Sequence, residues 1–301
     1  MSTASESLEL LVVAQNVADV YEGPGVGSGL ASQAILGDRV YVSDTQDDFC
    51  YVTTSDHYAG WIAARLLLPA RDDSDSLTTT IATLFADVFS APDAHSEMLT
   101  KLVVGTRAVI ARRAEVGDWV PLSLPNDQVG YVHRVSLNLF HSRAPEVQTL
   151  RDRIAQEDLI AALGRNIAET AKRFIGTPYL WGGCTPFGID CSGLTQLAYK
   201  LNGIQLQRDA NLQRGDKRFQ SVEEGQPLDT ALLEDGDLVV FSRRQDKQPT
   251  HIGLALGDGR FLHARGGQGV RIDDCDAPEY GATYLGAVRL SADAEFAVEA
   301  A

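Results

Sequence analysis

The chain has 301 residues, enough for two or three compact domains, and its 44% hydrophobic and 22% charged residues are typical of an ordinary globular protein. Its formal net charge of −15 argues against nucleic acid or an anionic membrane as the main partner, because both bind basic surfaces. The cysteines have the spacing of neither a disulfide framework nor a paired C-x-x-C metal site; they are Cys50, Cys184, Cys191 and Cys275.

The amino terminus, MSTASESLEL, has neither the basic nor the apolar segment of a secretory signal. No later run approaches the ~18 apolar residues that a membrane-spanning helix needs. We therefore expect a cytoplasmic protein that does not associate with membranes.

The first half of the chain contains a faint internal repeat. ADVY at 18–21 returns as ADVF at 86–89, and YV at 51–52 returns as WV at 119–120, both 68 residues later. GWI at 60–62 returns as GYV at 130–132, which a two-residue insertion in the last hairpin would explain. Two copies of one small domain account for this pattern, and the alternative is two unrelated β segments with chance matches.

Each copy contains short strands with alternating apolar residues, such as 39–42 and 49–52, broken by Gly, Asp and Pro. Strands of this kind over about sixty residues predict a small, partly open barrel. The closing strand, with Gly followed by an aromatic and an apolar residue, resembles bacterial SH3-like domains. The polar segment 71–76 predicts a linker, so we expect one domain over 1–75 and a second over 76–145.

The chain changes character after residue 145, and a third domain is expected over 146–301. Helical spacing over 146–174 predicts one or two helices, and a further helix is predicted over 191–201. Strands are then predicted at 237–242, 252–256, 260–264 and 284–290. A helical part followed by an antiparallel sheet indicates an α+β domain.

Cys191 lies between Asp190 and Ser192, in the first turn of the predicted helix. Unpaired backbone N–H groups and the helix dipole favour an anion there, so we expect a thiol with a lowered pKa. The amide of Cys191 could also donate to a developing oxyanion. The position predicts a cysteine nucleophile, although a small buried cysteine also fits a helix start.

A thiol nucleophile needs a base, and two histidines lie in consecutive predicted strands. His251 and His263 are twelve residues apart across a tight turn, so they are expected on one face of the sheet, one as base and one orienting it. A Cys-His-His zinc site is the alternative, but neither Cys184 nor Cys275 has the spacing of a further ligand. The remaining histidines are expected to be surface or turn residues; they are His57, His95, His133 and His141.

Six ordered blocks between about residues 165 and 290 resemble the NlpC family of papain-like cysteine endopeptidases, which cut bacterial cell-wall peptides. The blocks are GTPYLWGG (176–183), DCSGL (190–194), RDA (208–210), DGDLVVF (235–241), THIGLAL (250–256) and FLHA (261–264). The resemblance implies that Cys191 is the nucleophile, His251 the base and His263 the orienting residue. It also implies that Tyr179 borders the oxyanion site.

Two SH3-like domains ahead of such a domain resemble the YkfC-type γ-D-glutamyl-diamino-acid endopeptidases, which act on free, recycled murein peptides and release L-Ala-γ-D-Glu. In those relatives an SH3-like domain closes one end of the cleft, and acidic and tyrosine groups hold the free amino terminus of the substrate. The matching positions are Asp209 and Tyr58, and Ser192 would bind the α-carboxylate of γ-D-Glu. Further candidates for the oxyanion or substrate site are Asp56, Asp190 and Arg208.

One position departs from those relatives. They often carry Ser after the Arg-Asp pair, whereas this chain has Ala210, so one hydroxyl donor to the substrate carboxylate is missing. A hydrogen bond to a charged group contributes ~1.5–3 kcal/mol, so the departure concerns strictness for γ-D-Glu more than the chemistry.

The expected protein therefore has two small all-β SH3-like barrels followed by an α+β papain-like domain. It hydrolyses the bond between γ-D-Glu and a diamino acid in small murein peptides with a free amino-terminal L-Ala, without a metal or cofactor. The alternatives are a hydrolase or amidase of intact peptidoglycan and a non-catalytic wall-binding protein. The sequence does not distinguish lysine from diaminopimelate, and it does not indicate an oligomeric state.

Overall fold

The computed structural model describes residues 8–138, 156–224 and 228–292, and the chain divides into two compact units, Met1–His141 and Ser142–Ala301. Both predicted SH3-like domains lie in the first unit. The predicted boundary at 145 and the predicted helical segment 146–155 lie outside the described residues.

The first copy in unit 1 is a seven-stranded antiparallel sheet in the order β3-β2-β6-β5-β4-β1-β7. Its strands are β1 (Glu9–Val13), β2 (Val17–Tyr21), β3 (Leu30–Ile35), β4 (Arg39–Gln46), β5 (Phe49–Thr53), β6 (Ala59–Ala63) and β7 (Leu67–Pro69).

The second copy repeats this topology strand for strand, in the order β10-β9-β13-β12-β11-β8-β14. Its strands are β8 (Thr78–Ile81), β9 (Phe85–Phe89), β10 (Met98–Val103), β11 (Arg107–Ile110), β12 (Trp119–Ser123), β13 (Val129–His133) and β14 (Leu137–Asn138). A single 3-10 turn precedes the last strand of each copy, at Ala64–Leu66 and Arg134–Ser136. The internal repeat predicted from the sequence is confirmed.

The repeated glycine before the aromatic residue has a packing reason in both copies. A β-carbon at Gly60 would lie 2.6 Å from Cγ1 of Val20, and one at Gly130 would lie 2.3 Å from Cγ1 of Val88. Both valines are completely buried in the cores of their barrels. The motif is retained in both copies because only glycine lets β6 and β13 approach these core side chains.

The linker between the two copies also holds them together. Asp73 pairs with Arg39 through one carboxylate oxygen, and its other oxygen lies 3.2 Å from Nη1 of Arg107. The two arginines are the first residues of β4 and β11, so they occupy equivalent positions in the repeat. One carboxylate therefore joins the barrels at matching points.

In the described residues, unit 2 contains four α-helices, a single 3-10 turn at Thr230–Leu232 and eight strands. The helices are α1 (Gln156–Lys172), α2 (Cys191–Lys200), α3 (Ala210–Arg214) and α4 (Pro278–Gly281). The strands are β15 (Cys184–Thr185), β16 (Gly188–Ile189), β17 (Phe219–Glu224), β18 (Leu238–Phe241), β19 (His251–Ala255), β20 (Arg260–Arg265), β21 (Gly269–Asp274) and β22 (Tyr284–Leu290). No helix in the described ranges is long and apolar enough to cross a membrane.

The main sheet of unit 2 is antiparallel, in the order β17-β22-β18-β19-β20-β21. Helix α2 packs against β19 and β20, so the helix start and the middle of the sheet meet. The α+β architecture and the four predicted strands are confirmed. Strands β15, β16, β17 and β21 and the short helices α3 and α4 were not predicted.

Candidate active site

Helix α2 begins at Cys191 because Asp190 caps it. The Oδ1 atom of Asp190 accepts a hydrogen bond of 2.7 Å from the amide of Gly193, the arrangement that a helix N-cap requires. The Oδ2 atom accepts one of 2.8 Å from the amide of Gly182. One carboxylate thus ties the helix start to the preceding Gly-Gly turn and fixes the backbone on both sides of Cys191.

A buried arginine neutralises this carboxylate. Arg208 is only 2% exposed, and its guanidinium donates to both oxygens of Asp190, at 3.0 and 2.6 Å, and to Oγ of Ser192 at 2.9 Å. Pairing and several hydrogen bonds make a buried charge of this kind tolerable. Asp190 and Arg208 therefore support the turn that carries Cys191, and Ser192 takes part in the same network. Contact of these three residues with substrate remains a prediction.

His251 and His263 lie side by side, as the hairpin spacing predicted. Leu254 pairs with Leu262 across β19 and β20, so the two histidines are diagonal neighbours on one face of the sheet. Nε2 of His251 is 2.7 Å from Nδ1 of His263. His263 is fully buried, and its ring stacks on Phe261 with the centroids 4.3 Å apart.

The pattern of strands extends this pair to a residue that the sequence analysis missed. In β21, Arg271 pairs with His263 and Asp273 pairs with Phe261. Oδ2 of Asp273 is 3.1 Å from Nε2 of His263. The hydroxyl of Tyr280 in α4 donates to the same oxygen at 2.9 Å. The available signal was the alternation VRID at 270–273 after the Gly-Gly turn, which predicts a third strand of this hairpin.

The sulfur of Cys191 lies next to Ile252, in the strand that carries His251. The backbone N–H groups of Ile252 and Ser192 both point at the thiol, and each lowers its pKa. Burial has the larger effect and, with the negative charge of Asp190, raises the pKa of Cys191 to about 12. The expectation of a lowered thiol pKa was therefore wrong, because the loss of water around the sulfur outweighs the helix start.

Both histidines are held neutral by their surroundings. Burial lowers the pKa of His251 to about 3, and the neighbouring His263, Arg243 and Arg265 act in the same direction. Burial lowers the pKa of His263 to about 4, although Asp273 opposes the effect. Burial thus favours the neutral forms of the thiol and of both imidazoles in the resting site.

Tyr179 and Asp209 lie on the segments that flank this centre. Tyr179 bridges to Ile189 just before the turn that carries Cys191, and burial raises the pKa of its phenol, with contributions from Cys191 and Asp190. Asp209 is half-buried at the start of α3, next to Arg208. These positions place both residues in unit 2 with Cys191, and their roles toward substrate remain predictions.

Tyr58 and Asp56 belong to unit 1, in the turn between β5 and β6. The hydroxyl of Thr54 donates to Oδ1 of Asp56 and, at 3.0 Å, to the carbonyl of Tyr58, so the turn is closed by its own side chains. Their predicted contact with the substrate remains a prediction.

Two segments of the chain match known families. Residues 176–289 match the NlpC/P60 family, and this range contains Cys191, both histidines and Asp273. This segment is an NlpC/P60 domain. Residues 20–67 match the bacterial dipeptidyl-peptidase Sh3 domain, so the predicted NlpC-type and SH3-like domains are both confirmed.

Relatives of this chain span most of its length. Dipeptidyl-peptidase 6 of Lysinibacillus sphaericus is 29% identical over 278 residues, 88% of this chain and 91% of that protein. Gamma-D-glutamyl-L-lysine dipeptidyl-peptidase of Bacillus cereus is 27% identical over 270 residues, 86% of this chain and 75% of that protein. The crystal structure of an NlpC/P60 family protein from Bacillus cereus has a TM-score of 0.74 at 22% identity and covers 93% of this chain and 99% of its own, a likeness in fold.

Proposed function

We propose that this NlpC/P60 peptidase hydrolyses the bond between γ-D-Glu and a diamino acid in free murein peptides, with release of L-Ala-γ-D-Glu, as part of cell-wall peptide recycling. The observation that carries the peptidase chemistry is the Cys191 thiol beside the contacting pair His251 and His263. The substrate class is supported by the relatives named for dipeptidyl-peptidase activity, since they align along both the SH3-like and the catalytic parts.

In the proposed reaction the proton of Cys191 moves to His251 as the sulfur attacks the γ-glutamyl carbonyl. The amide of Cys191 at the start of α2 donates to the developing oxyanion, and Tyr179 borders it. His251 returns the proton to the departing amine of the diamino acid. Water then hydrolyses the acyl-enzyme, with His251 again as the base.

Two charged groups of the L-Ala-γ-D-Glu part of the peptide would be recognised. Asp209 would hold the protonated amine of L-Ala, and Ser192 would contact the α-carboxylate of γ-D-Glu. Ala210 offers no hydroxyl here, so the preference for γ-D-Glu over other γ-linked acids is expected to be weaker. A substrate of this kind is a soluble peptide, which fits the proposed cytoplasmic location.

The test compares L-Ala-γ-D-Glu-diaminopimelate and its lysine counterpart with their N-acetylated forms and with intact sacculi. Loss of a paired ammonium typically costs ~2–5 kcal/mol, so capping should lower kcat/KM by roughly thirtyfold to several-thousandfold. Products are identified by mass spectrometry. Equal kcat/KM for free and capped peptides would reject the free-peptide substrate, and cleavage of sacculi at that rate would assign the protein to hydrolysis of intact wall.

Variants separate the proposed roles. Cys191→Ala should abolish turnover, and His251→Ala should lower kcat by ~10²–10⁴-fold, the usual contribution of a general base. His263→Gln should retain more activity, because an orienting residue is less essential than the base. His95→Ala is the matched control, since His95 is exposed in the second barrel. If folded Cys191→Ala retained more than a few per cent of turnover, the assignment of Cys191 as the nucleophile would be rejected.

A further inference from the structure

We propose that Asp273 is a positioning residue for the site formed by Cys191, His251 and His263. It sets the tautomers of His263 and His251, so that Nδ1 of His251 is free to accept the thiol proton. His251, His263 and Asp273 lie on the adjacent strands β19, β20 and β21. Each is offset by two residues from the position directly opposite its neighbour. Their contacts are 2.7 Å between the two imidazoles and 3.1 Å between His263 and the carboxylate. The inference rests on the proposed roles of Cys191 and His251.

The hydrogen-bond directions follow from what each group can donate. An ionised carboxylate only accepts, so Nε2 of His263 must carry the proton that bonds to Asp273. Nδ1 of the neutral His263 ring is then an acceptor, and it has to receive the Nε2 proton of His251. His251 is left with an unprotonated Nδ1. Asp273 therefore determines, through His263, which nitrogen of His251 can act as the base.

The surroundings of Asp273 keep it ionised and fixed. Although burial favours the neutral acid, hydrogen bonds from Tyr280, His263 and Arg271 lower the pKa of its carboxyl. Arg271 donates from Nε to Oδ1 at 2.7 Å, and Nη1 of Arg265 lies 3.6 Å from Oδ2. Tyr280 is 4% exposed and donates to Oδ2 from a third element, so the carboxylate is held from three sides.

Asp273 changes neither its charge nor its protonation during the proposed reaction. As the bond between Cys191 Sγ and the substrate carbonyl carbon forms, one proton passes from sulfur to Nδ1 of His251. The resulting imidazolium donates from Nε2 to His263, and the negative charge of Asp273 stabilises it through that ring, as in the aspartate of serine peptidases. The proton then leaves with the amine, and both histidines return to their starting tautomers.

The first measurement uses the full chain labelled with ¹⁵N-histidine at pH 7. Long-range ¹H–¹⁵N correlations distinguish a proton on Nε2 from one on Nδ1, and His251→Ala and His263→Gln assign the signals. We expect both rings to carry the proton on Nε2. A proton on Nδ1 of His251 in the unmodified chain would overturn the proposal by itself, whatever any variant does.

The second measurement compares Asp273→Asn and Tyr280→Phe with the unmodified chain. Asp273→Asn should shift His263 toward its other tautomer and slow alkylation of Cys191 by iodoacetamide by about tenfold to a hundredfold, part of the ~10²–10⁴-fold contribution of general-base catalysis. Tyr280→Phe, which keeps the ring and removes one donor to Asp273, should have a smaller effect in the same direction. Unchanged tautomers and alkylation in folded Asp273→Asn would assign the residue a purely structural role and overturn the inference.

Asp237→Asn is the matched control. Asp237 is also a buried carboxylate on the sheet, and it accepts from Nε and Nη2 of Arg289 at 2.8 and 2.7 Å, away from the histidines. Asp237→Asn should lower the melting temperature and leave the histidine tautomers and the alkylation rate of Cys191 unchanged. Equally slow alkylation in Asp237→Asn and Asp273→Asn would indicate general loosening of the sheet and reject the proposal. Peptide cleavage is not a readout here. A chain with the expected tautomers that fails to cleave γ-D-glutamyl peptides would reject the proposed substrate and leave this inference in place.

Discussion

Gly253 lies directly opposite His263 across β19 and β20. A β-carbon at position 253 would come within 3.0 Å of Cβ of His263 and 2.6 Å of Cδ2 of Phe261. The glycine therefore leaves the space in which the His263 ring stacks on Phe261 and reaches His251. The diagonal contact between the histidines depends on the missing side chain of Gly253, which lies in β19 two residues after His251.

Gly253→Ala should lower activity more than it lowers stability, because the methyl group displaces His263 from a contact of 2.7 Å. We expect kcat for peptide cleavage to fall by at least tenfold, or ~1.4 kcal/mol in the barrier, with the chain still folded. Gly266→Ala is the control, since a β-carbon there meets nothing within 4 Å and its φ is not positive. Equal activity of the two variants would show that the ring position tolerates the methyl group.

The reactivity of Cys191 should depend on His251 and not on the helix start alone. Because burial raises the thiol pKa to about 12, iodoacetamide should react with Cys191 at pH 7 only with the help of the neutral imidazole. His251→Ala should therefore slow alkylation of Cys191 by more than tenfold, measured by mass spectrometry of the labelled peptide. Buried Cys50 provides an internal reference. An unchanged rate in His251→Ala would mean that the thiol ionises without a base.

Unit 2 should lose stability in mild acid. In the unfolded chain His251 and His263 bind protons near their ordinary pKa of 6.5, whereas in the folded chain they do so only near 3 and 4. The unfolded state thus binds more protons as pH falls below 6.5, so the free energy of unfolding decreases between pH 6.5 and 4. The slope is about 1.4 kcal/mol per pH unit for each histidine once both are protonated on unfolding.

Urea unfolding at pH 7, 6 and 5 checks this, with circular dichroism at 222 nm as the signal, because all α-helices in the described ranges lie in unit 2. His263→Gln removes one of the two groups and should flatten the dependence by about half. A dependence that is the same with and without His263 would contradict the assignment of a neutral buried ring.

Two buried threonines of the second barrel should respond in opposite directions to valine. Oγ1 of Thr106 has no hydrogen-bond partner among the described residues, whereas Oγ1 of Thr79 donates to the carbonyl of Asn138 at 2.9 Å. Both residues are at most 1% exposed. Thr106→Val removes an unsatisfied hydroxyl and should stabilise the barrel by about 1 kcal/mol, and Thr79→Val should destabilise it by a similar amount. Thermal unfolding of the two variants measures the difference, and destabilisation by both would show that the Thr106 hydroxyl is satisfied in solution.

Local patterns in the sequence determined much of this protein. The repeat in the first half was predictable because equivalent strands bury equivalent residues, down to the glycines at 60 and 130 that approach a core valine. The helix start at Cys191 follows from the capping aspartate before it. The contact between His251 and His263 was also predictable, since a tight turn leaves few registers for two short strands.

Only the tertiary structure decided what surrounds these residues. Asp273 reaches His263 because a third strand pairs in one particular register, and a shift of one residue would have turned its side chain to the other face. Arg208 lies buried under the turn that carries Cys191, where it balances the charge of Asp190. The thiol pKa rises for the same reason, because desolvation depends on how much protein from distant segments surrounds the sulfur, and no local pattern around Cys191 records that.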